Sequence, residues 1–169
     1  MNIILFGPPG AGKGTQADNL SKKFKLFKIS TGDLLREEIK KNTTLGNEIK
    51  NKIDKGILAP DKIIYDLINK VLGNKNFLNR LIFDGFPRTL SQATNLESLL
   101  NQHKQKLTCV LSLNVDKDTV IKRILGRQTC SKCGLIFNQY FNPATKLNHS
   151  CESSFLVKRD DDNEKTIIN

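Results

Sequence analysis

The chain has 169 residues, enough for one domain of ordinary size carrying a small inserted lobe, and so enough to bury a core. Hydrophobic residues make up 38% and charged residues 26%, with 5 Pro and 11 Gly, a balance that excludes fibrous, collagen-like and low-complexity chains. The formal charge of +10 rests on 27 basic residues of which 21 are Lys spread along the whole chain, so it reads as a compositional bias rather than a nucleic-acid-binding stripe, and a polyanionic small molecule explains the sign equally well.

Asn2 to Phe6 is a short apolar run with β-branched Ile3 and Ile4, ending at Gly7, which predicts a buried parallel strand. A glycine-rich turn follows. Ala17, Leu20 and Phe24 then recur at helical spacing, predicting a helix from Lys13 to Phe24. Lys28 to Ser30 predicts a second strand. Ser30 or Thr31 can cap a helix running to about Lys41, with Asp33 suited to its positive end. Gly46, Gly56 and Pro60 cut the next stretch into short helices and turns. Leu81 to Phe83 predicts a third strand, a helix follows from about Leu90 to Asn101, and Thr108 to Asn114 predicts a fourth strand.

Strands alternating with helical stretches define an α/β protein with a parallel sheet and right-handed crossovers. From Thr119 to Arg127 a further helix places Arg123 and Arg127 four apart on one face. Residues 128 to 158 change character to Cys, Asn, Ser and aromatics, marking a small inserted lobe. No apolar run approaches the ~20 residues that span a bilayer, and the opening residues are too short and wrongly flanked for an export signal. A cytoplasmic protein with no membrane partner is expected.

The motifs narrow the function. Gly7-Pro8-Pro9-Gly10-Ala11-Gly12-Lys13-Gly14-Thr15 fits a phosphate-binding loop up to Gly-Lys, with the Thr displaced one place by Gly14. Such glycines let backbone amides turn inward on an anion, the following helix offers its positive end, and Lys13 adds a point charge. The bare spacing is weak, since roughly 0.1 chance matches are expected in a chain of this composition. Its place after a buried strand makes it strong. In a chain that draws its positive charge from Lys, the six arginines Arg36, Arg80, Arg88, Arg123, Arg127 and Arg159 are informative, because a guanidinium forks a phosphate where a Lys cannot. Arg80 lies in a polar loop and reads as a surface residue.

Ser30-Thr31-Gly32-Asp33-Leu34-Leu35-Arg36 and Asp84-Gly85-Phe86-Pro87-Arg88-Thr89-Leu90-Ser91-Gln92-Ala93 complete a set of three motifs. With them the chain resembles the adenylate kinases of the nucleoside monophosphate kinase family, from its first residue to its last. The resemblance implies a three-layer phosphate-loop fold with a core over 1–29 and 60–125, an AMP-binding insertion over 30–59, a lid over 126–162 and a return to the core from 163. It implies the reaction Mg·ATP + AMP ⇌ 2 ADP, catalysed by a monomer. Gly7, Pro9, Gly10, Ala11, Gly12, Lys13, Gly14 and Thr15 would hold the donor phosphates, and Arg36 and Arg88 the acceptor phosphate. Thr31, Gly85 and Gln92 would meet the acceptor base, and Asp84 would orient Mg²⁺ through its water shell. Related UMP/CMP kinases usually differ at the Ser-Thr-Gly-Asp motif, so Thr31 favours AMP. Arg123, Arg127 and Arg159 match arginines that close over the transferring group, and Asp161 and Asp162 match the acidic pair after the last of them. The family also implies a cis Phe86–Pro87 peptide.

Cys130-x2-Cys133 followed by Cys151 suits a structural zinc in the lid, as in several adenylate kinases, but Ser154 stands where the fourth ligand would fall; His149 or Glu152 are the candidates to replace it. Cys109 reads as a core residue and His103 as a surface one. The alternatives are another nucleoside monophosphate kinase or, from a different class, a zinc-ribbon nucleic-acid module; the phosphate loop and the placed arginines tell against the second. Family members continue for several tens of residues beyond the counterpart of Asn169, with a further arginine, so the sequence is expected either to cover part of the protein or to be a shortened chain.

Overall fold

β1 (Asn2–Phe6) runs through a four-stranded parallel sheet whose order is β2 (Phe27–Ser30), β3 (Leu81–Asp84), β1 and β4 (Leu107–Ser112). Alternation along the strand explains how both faces are covered. Ile4 joins Ile29, Phe83, Phe86, Ile68, Leu96 and Leu100 on one side, whereas Ile3, Leu5 and Ile82 join Ala17 and Leu26 on the other. Cys109, expected as a core residue, is only partly buried: it packs against this second cluster from the otherwise exposed edge strand β4. The computed structural model describes residues 1–53, 59–159 and 162. Gly56, Asp161 and the expected return segment from residue 163 therefore lie outside the described residues.

The helices are α1 (Lys13–Phe24), α2 (Thr31–Lys40), α3 (Thr44–Ile53), α4 (Asp61–Leu72), α5 (Leu90–Gln102) and α6 (Lys117–Leu125). Ser30, not Thr31, caps α2, its hydroxyl accepting from the Asp33 amide at 3.3 Å. α3 lies close against α2 because residue 46 is glycine; a Cβ there would sit 2.6 Å from the Glu38 carbonyl oxygen. The loop residue Arg80 is exposed as expected, and its Nε donates to the Lys25 carbonyl at 3.0 Å.

At the opening end of the sheet lies a polar network that an apolar strand does not advertise. The fully buried Asn2 amide donates to Gln105 Oε1 and to the Lys106 carbonyl, both at 3.1 Å, and accepts from the Leu81 amide at 3.1 Å. Gln105, equally buried, donates to the Leu72 carbonyl and accepts from the Asn79 amide. Every member is satisfied, which is the condition for such a network to be tolerated in a core.

α6 corrects one expectation. Asp116 caps its start, accepting from the Thr119 amide at 2.8 Å, and the helix stops before Gly126, so that Arg127 is the first residue of β5 (Arg127–Cys130) and shares no helix face with Arg123. Glycine is required at 126 by close approach: a Cβ there would lie 2.6 Å from the Tyr140 ring. β5 pairs antiparallel with β6 (Ile136–Asn138) and β7 (Leu156–Val157) in the small sheet of the inserted lobe.

The described residues form two compact units, one from 1–7 and 12–113, the other from 8–11 and 114 onward. No described helix is long and apolar enough to cross a membrane.

Candidate active site

The loop after β1 needs glycine at three points where the backbone enters positive φ, at Gly7 (144°), Gly10 (77°) and Gly12 (93°). Gly12 stands at the N-terminus of α1, no side chain caps that end, and the positive end of the helix dipole suits an anion. Lys13 folds back across the loop, its Nζ donating to the Gly7 carbonyl at 2.8 Å. Gly10 packs tightly in the lobe unit: a Cβ there would lie 2.9 Å from Ile124 and 3.0 Å from the Val120 carbonyl. In the same unit Arg123 Nη1 donates to the Ala11 carbonyl at 3.4 Å, and its guanidinium lies over the Phe141 ring. Asn138 Nδ2 holds the Arg123 carbonyl at 2.9 Å.

β3 delivers Asp84 and Gly85 to two different neighbourhoods. Asp84 faces α1, where a Cβ on Gly14 would meet its Oδ2 at 3.5 Å. Burial pushes the Asp84 carboxyl above its usual range, against the pull of Lys13 and Lys28. Gly85 (φ 76°) accepts at its carbonyl from Thr31 Oγ1 at 3.0 Å and from Arg88 Nε at 2.8 Å. A Cβ on Gly85 would crowd both groups, at 3.4 Å from Thr31 Oγ1 and 3.2 Å from Arg88 Nη2. The Phe86–Pro87 peptide between them is cis, as the resemblance implied.

Arg36 lies over Gly32 and is ion-paired with Asp33, both half-exposed. Burial works to raise the Asp33 pKa, but hydrogen bonds with Arg36 and Ser30 and the Arg36 charge carry it below the usual range. Beside Thr31 the apolar side chains of Leu34, Leu35, Ile64 and Leu67 pack without leaving room for a water molecule. Gln92, which sequence reasoning placed at the base, is almost wholly buried; its Oε1 accepts from the Arg88 amide and its Nε2 donates to Asp61 Oδ1, each at 2.7 Å. Asp61 is a residue that sequence reasoning missed. It follows Pro60 at the start of α4, where an acid reads only as a helix-end charge.

In the lobe, Arg127 and Asp162 form a two-pronged ion pair, with Nε to Oδ2 at 2.8 Å and a second contact from Nη2 to Oδ1. Arg159 is bonded to the Asp162 amide through its carbonyl at 3.0 Å. Cys130, Cys133, His149 and Cys151 present ligand atoms that all lie within 4.8 Å of one another. His149 Nε2 is buried without a hydrogen-bond partner among the described residues, which favours His149 over Glu152 as the fourth donor. Burial alone would raise the Cys130 thiol, yet hydrogen bonding from the Cys133 amide and its neighbours pulls it down to about 6. Cys151 is pushed up by burial and by the two thiols beside it. Three thiols and an imidazole at this separation fit a tetrahedral ion with Zn–S near about 2.3 Å.

A parallel sheet with a glycine loop and lysine after β1, and an arginine in the segment after each of β2 and β3, is the frame of a phosphate-loop nucleotide phosphotransferase. The family model described as Adenylate kinase matches residues 5–169. Among curated relatives, the adenylate kinase of Pelagibacter ubique is 48% identical over 168 residues, covering 99% of this chain and 79% of its own length. That of Acetivibrio thermocellus is 42% identical (99% and 78%), and that of Archaeoglobus fulgidus 41% identical (99% and 77%). The chain belongs to the adenylate kinase family of phosphotransferases.

Proposed function

We propose that the protein transfers a phosphoryl group from Mg·ATP to AMP, giving two ADP. The observation that carries this reading is the Asp84-Gly85 pair: the carboxylate faces Gly14 at the start of α1, while the next residue's carbonyl gathers Thr31 and Arg88. One strand end thus serves both a donor and an acceptor. Phosphoryl transfer leaves a protein little covalent work, so alignment and charge neutralisation are the functions to assign.

Lys13 and the amides of Gly7 to Thr15 bind the donor phosphates, Arg36 and Arg88 fork the acceptor phosphate, and Gln92 reads the acceptor base beside Thr31. Asp84 is the residue suited to Mg²⁺, which would neutralise charge on the phosphates when bound. Arg123, Arg127 and Arg159, with Asp161 and Asp162, form the lid set. The insertion over 30–59 takes the acceptor and the lid over 126–162 excludes water. All of these roles fall on one chain, so no second copy is needed, and four free thiols suit a reducing cytoplasm. ADP formation from ATP with AMP, UMP, CMP or GMP tests the reading. Preference for AMP supports it; preference for UMP or CMP, or no phosphoryl transfer with any acceptor, overturns it.

We also assign Cys130, Cys133, His149 and Cys151 to a structural zinc. Protein purified without chelator should carry one equivalent of zinc, and Cys130→Ser should lose it and melt at lower temperature. Less than a tenth of an equivalent in the parent protein, with melting indifferent to the substitution, overturns the assignment.

The charge of Asp84 has a cost that substitution can expose. Its folded pKa is raised, so the folded state holds the proton more firmly than the unfolded one, and stability is lost as pH rises from the unfolded pKa through the folded one. At neutral pH Asp84→Asn should therefore melt higher than the parent while transferring phosphate more slowly. A lower melting temperature at pH 7 would contradict the sign.

A further inference from the structure

We propose that Asp61 is a specificity-positioning residue, fixing which end of the Gln92 amide is presented to the acceptor base; the proposal rests on the reading of Gln92 as the group that meets that base. A glutamine amide is ambivalent, with oxygen and nitrogen interchangeable by a half-turn. Here its neighbours remove the ambiguity. The Arg88 amide is only a donor, so the end facing it must be oxygen; the Asp61 carboxylate is only an acceptor, so the end facing it must be nitrogen. Both contacts are 2.7 Å and Gln92 is buried, so the orientation of its amide is set by these two neighbours before any base arrives. Tyr65 Oη in turn donates to Asp61 Oδ2 at 3.3 Å, one turn along α4.

The consequence is a fixed polarity. One N–H and one oxygen lone pair of the amide are left over, and they match a base edge that offers a ring acceptor beside an exocyclic amino donor, as adenine does. Guanine and uracil offer the reverse, a ring N–H beside a carbonyl, and would bring donor against donor and acceptor against acceptor. They could pair only with a flipped amide, which would turn the carboxamide oxygen on the Asp61 carboxylate and the nitrogen on the Arg88 N–H. Selectivity for adenine over guanine is thus written partly in a residue that need not touch the base.

Asp61→Asn tests this, because an asparagine at 61 accepts either end of the amide and leaves the Arg88 N–H as the sole remaining bias on its orientation. Binding of AMP and of GMP to the full chain is measured by titration calorimetry, with ATP affinity and melting temperature alongside, for Asp61→Asn, Gln92→Leu and the double variant. Asp61→Asn should lower the AMP-over-GMP affinity ratio by about tenfold while ATP affinity is retained. In the Gln92→Leu background the same substitution should change the ratio no further, since Asp61 acts through Gln92. A fall in melting temperature with the ratio intact would leave Asp61 as a helix-end charge alone and overturn the proposal, as would an undiminished effect of Asp61→Asn without Gln92. If Gln92→Leu itself leaves the ratio unchanged, the reading of Gln92 falls instead, a result separable from failure at Asp61.

Discussion

Arg88→Lys should lower kcat/KM for AMP by about a hundredfold, equivalent to about 2.7 kcal/mol of transition-state stabilisation, with the fold intact. The guanidinium is held by its Nε on the Gly85 carbonyl at 2.8 Å, and its amino groups are thereby aimed beside Gly85 rather than left to wander. A lysine keeps the charge, but it loses the tether, the paired donors and the planar match to a phosphate. The loss should appear against AMP at saturating ATP, and the melting temperature should move little because the Arg88 side chain is exposed at its Gly85 contact. Kinetics near those of the parent protein would remove Arg88 from the acceptor site.

Gly10→Val should be among the most damaging single substitutions in the phosphate loop. The backbone there sits at φ 77°, which costs an L-residue about 1–2 kcal/mol, and the new Cβ would lie 2.9 Å from Ile124 and 3.0 Å from the Val120 carbonyl. Overpacking of that kind adds about 1–3 kcal/mol. Together they should lower the melting temperature by about 10 °C in a domain of this size and weaken ATP binding, since the loop amides cannot keep their direction. Unchanged melting and unchanged ATP affinity would show that the loop relaxes freely around the added side chain.

How far the sequence could be read depended on what kind of constraint each residue obeys. Glycines at 7, 10 and 12 and Lys13 announce themselves because a phosphate loop needs those types at fixed spacing after a strand, and the structure has positive φ at all three glycines. β1 and β3 were legible as apolar runs buried on both faces, whereas the equally apolar β4 is an edge strand left largely exposed. The end of α6 was misread because the i,i+4 spacing of Arg123 and Arg127 competes with the stop signal of Gly126, and the close approach of Tyr140 that demands glycine there comes from far along the chain. Asp61 and Gln92 are 31 residues apart and share no periodicity, so no local pattern joins them. The choice of His149 over Glu152 likewise depends on how the lobe folds back toward Cys130, which spacing alone left open.

The buried Asn2 network bears on the order in which the protein can assemble as it is synthesised. Asn2 is synthesised ahead of all its side-chain partners, the Leu81 amide, Gln105 and the Lys106 carbonyl, so the strand that will lie inside the sheet has to wait for more than a hundred further residues before its amide can be satisfied. Until then, pairing β1 with any other strand would strand that amide without partners, a penalty of about 1–3 kcal/mol for each group left unmet. Parallel strands have no hairpin to set their alignment, and a slip by one residue would exchange the two faces of β1. A single asparagine at the strand's beginning therefore acts as a proofreading step: the apolar residues after it would accept many neighbours, and Asn2 rejects those that arrive early or out of register.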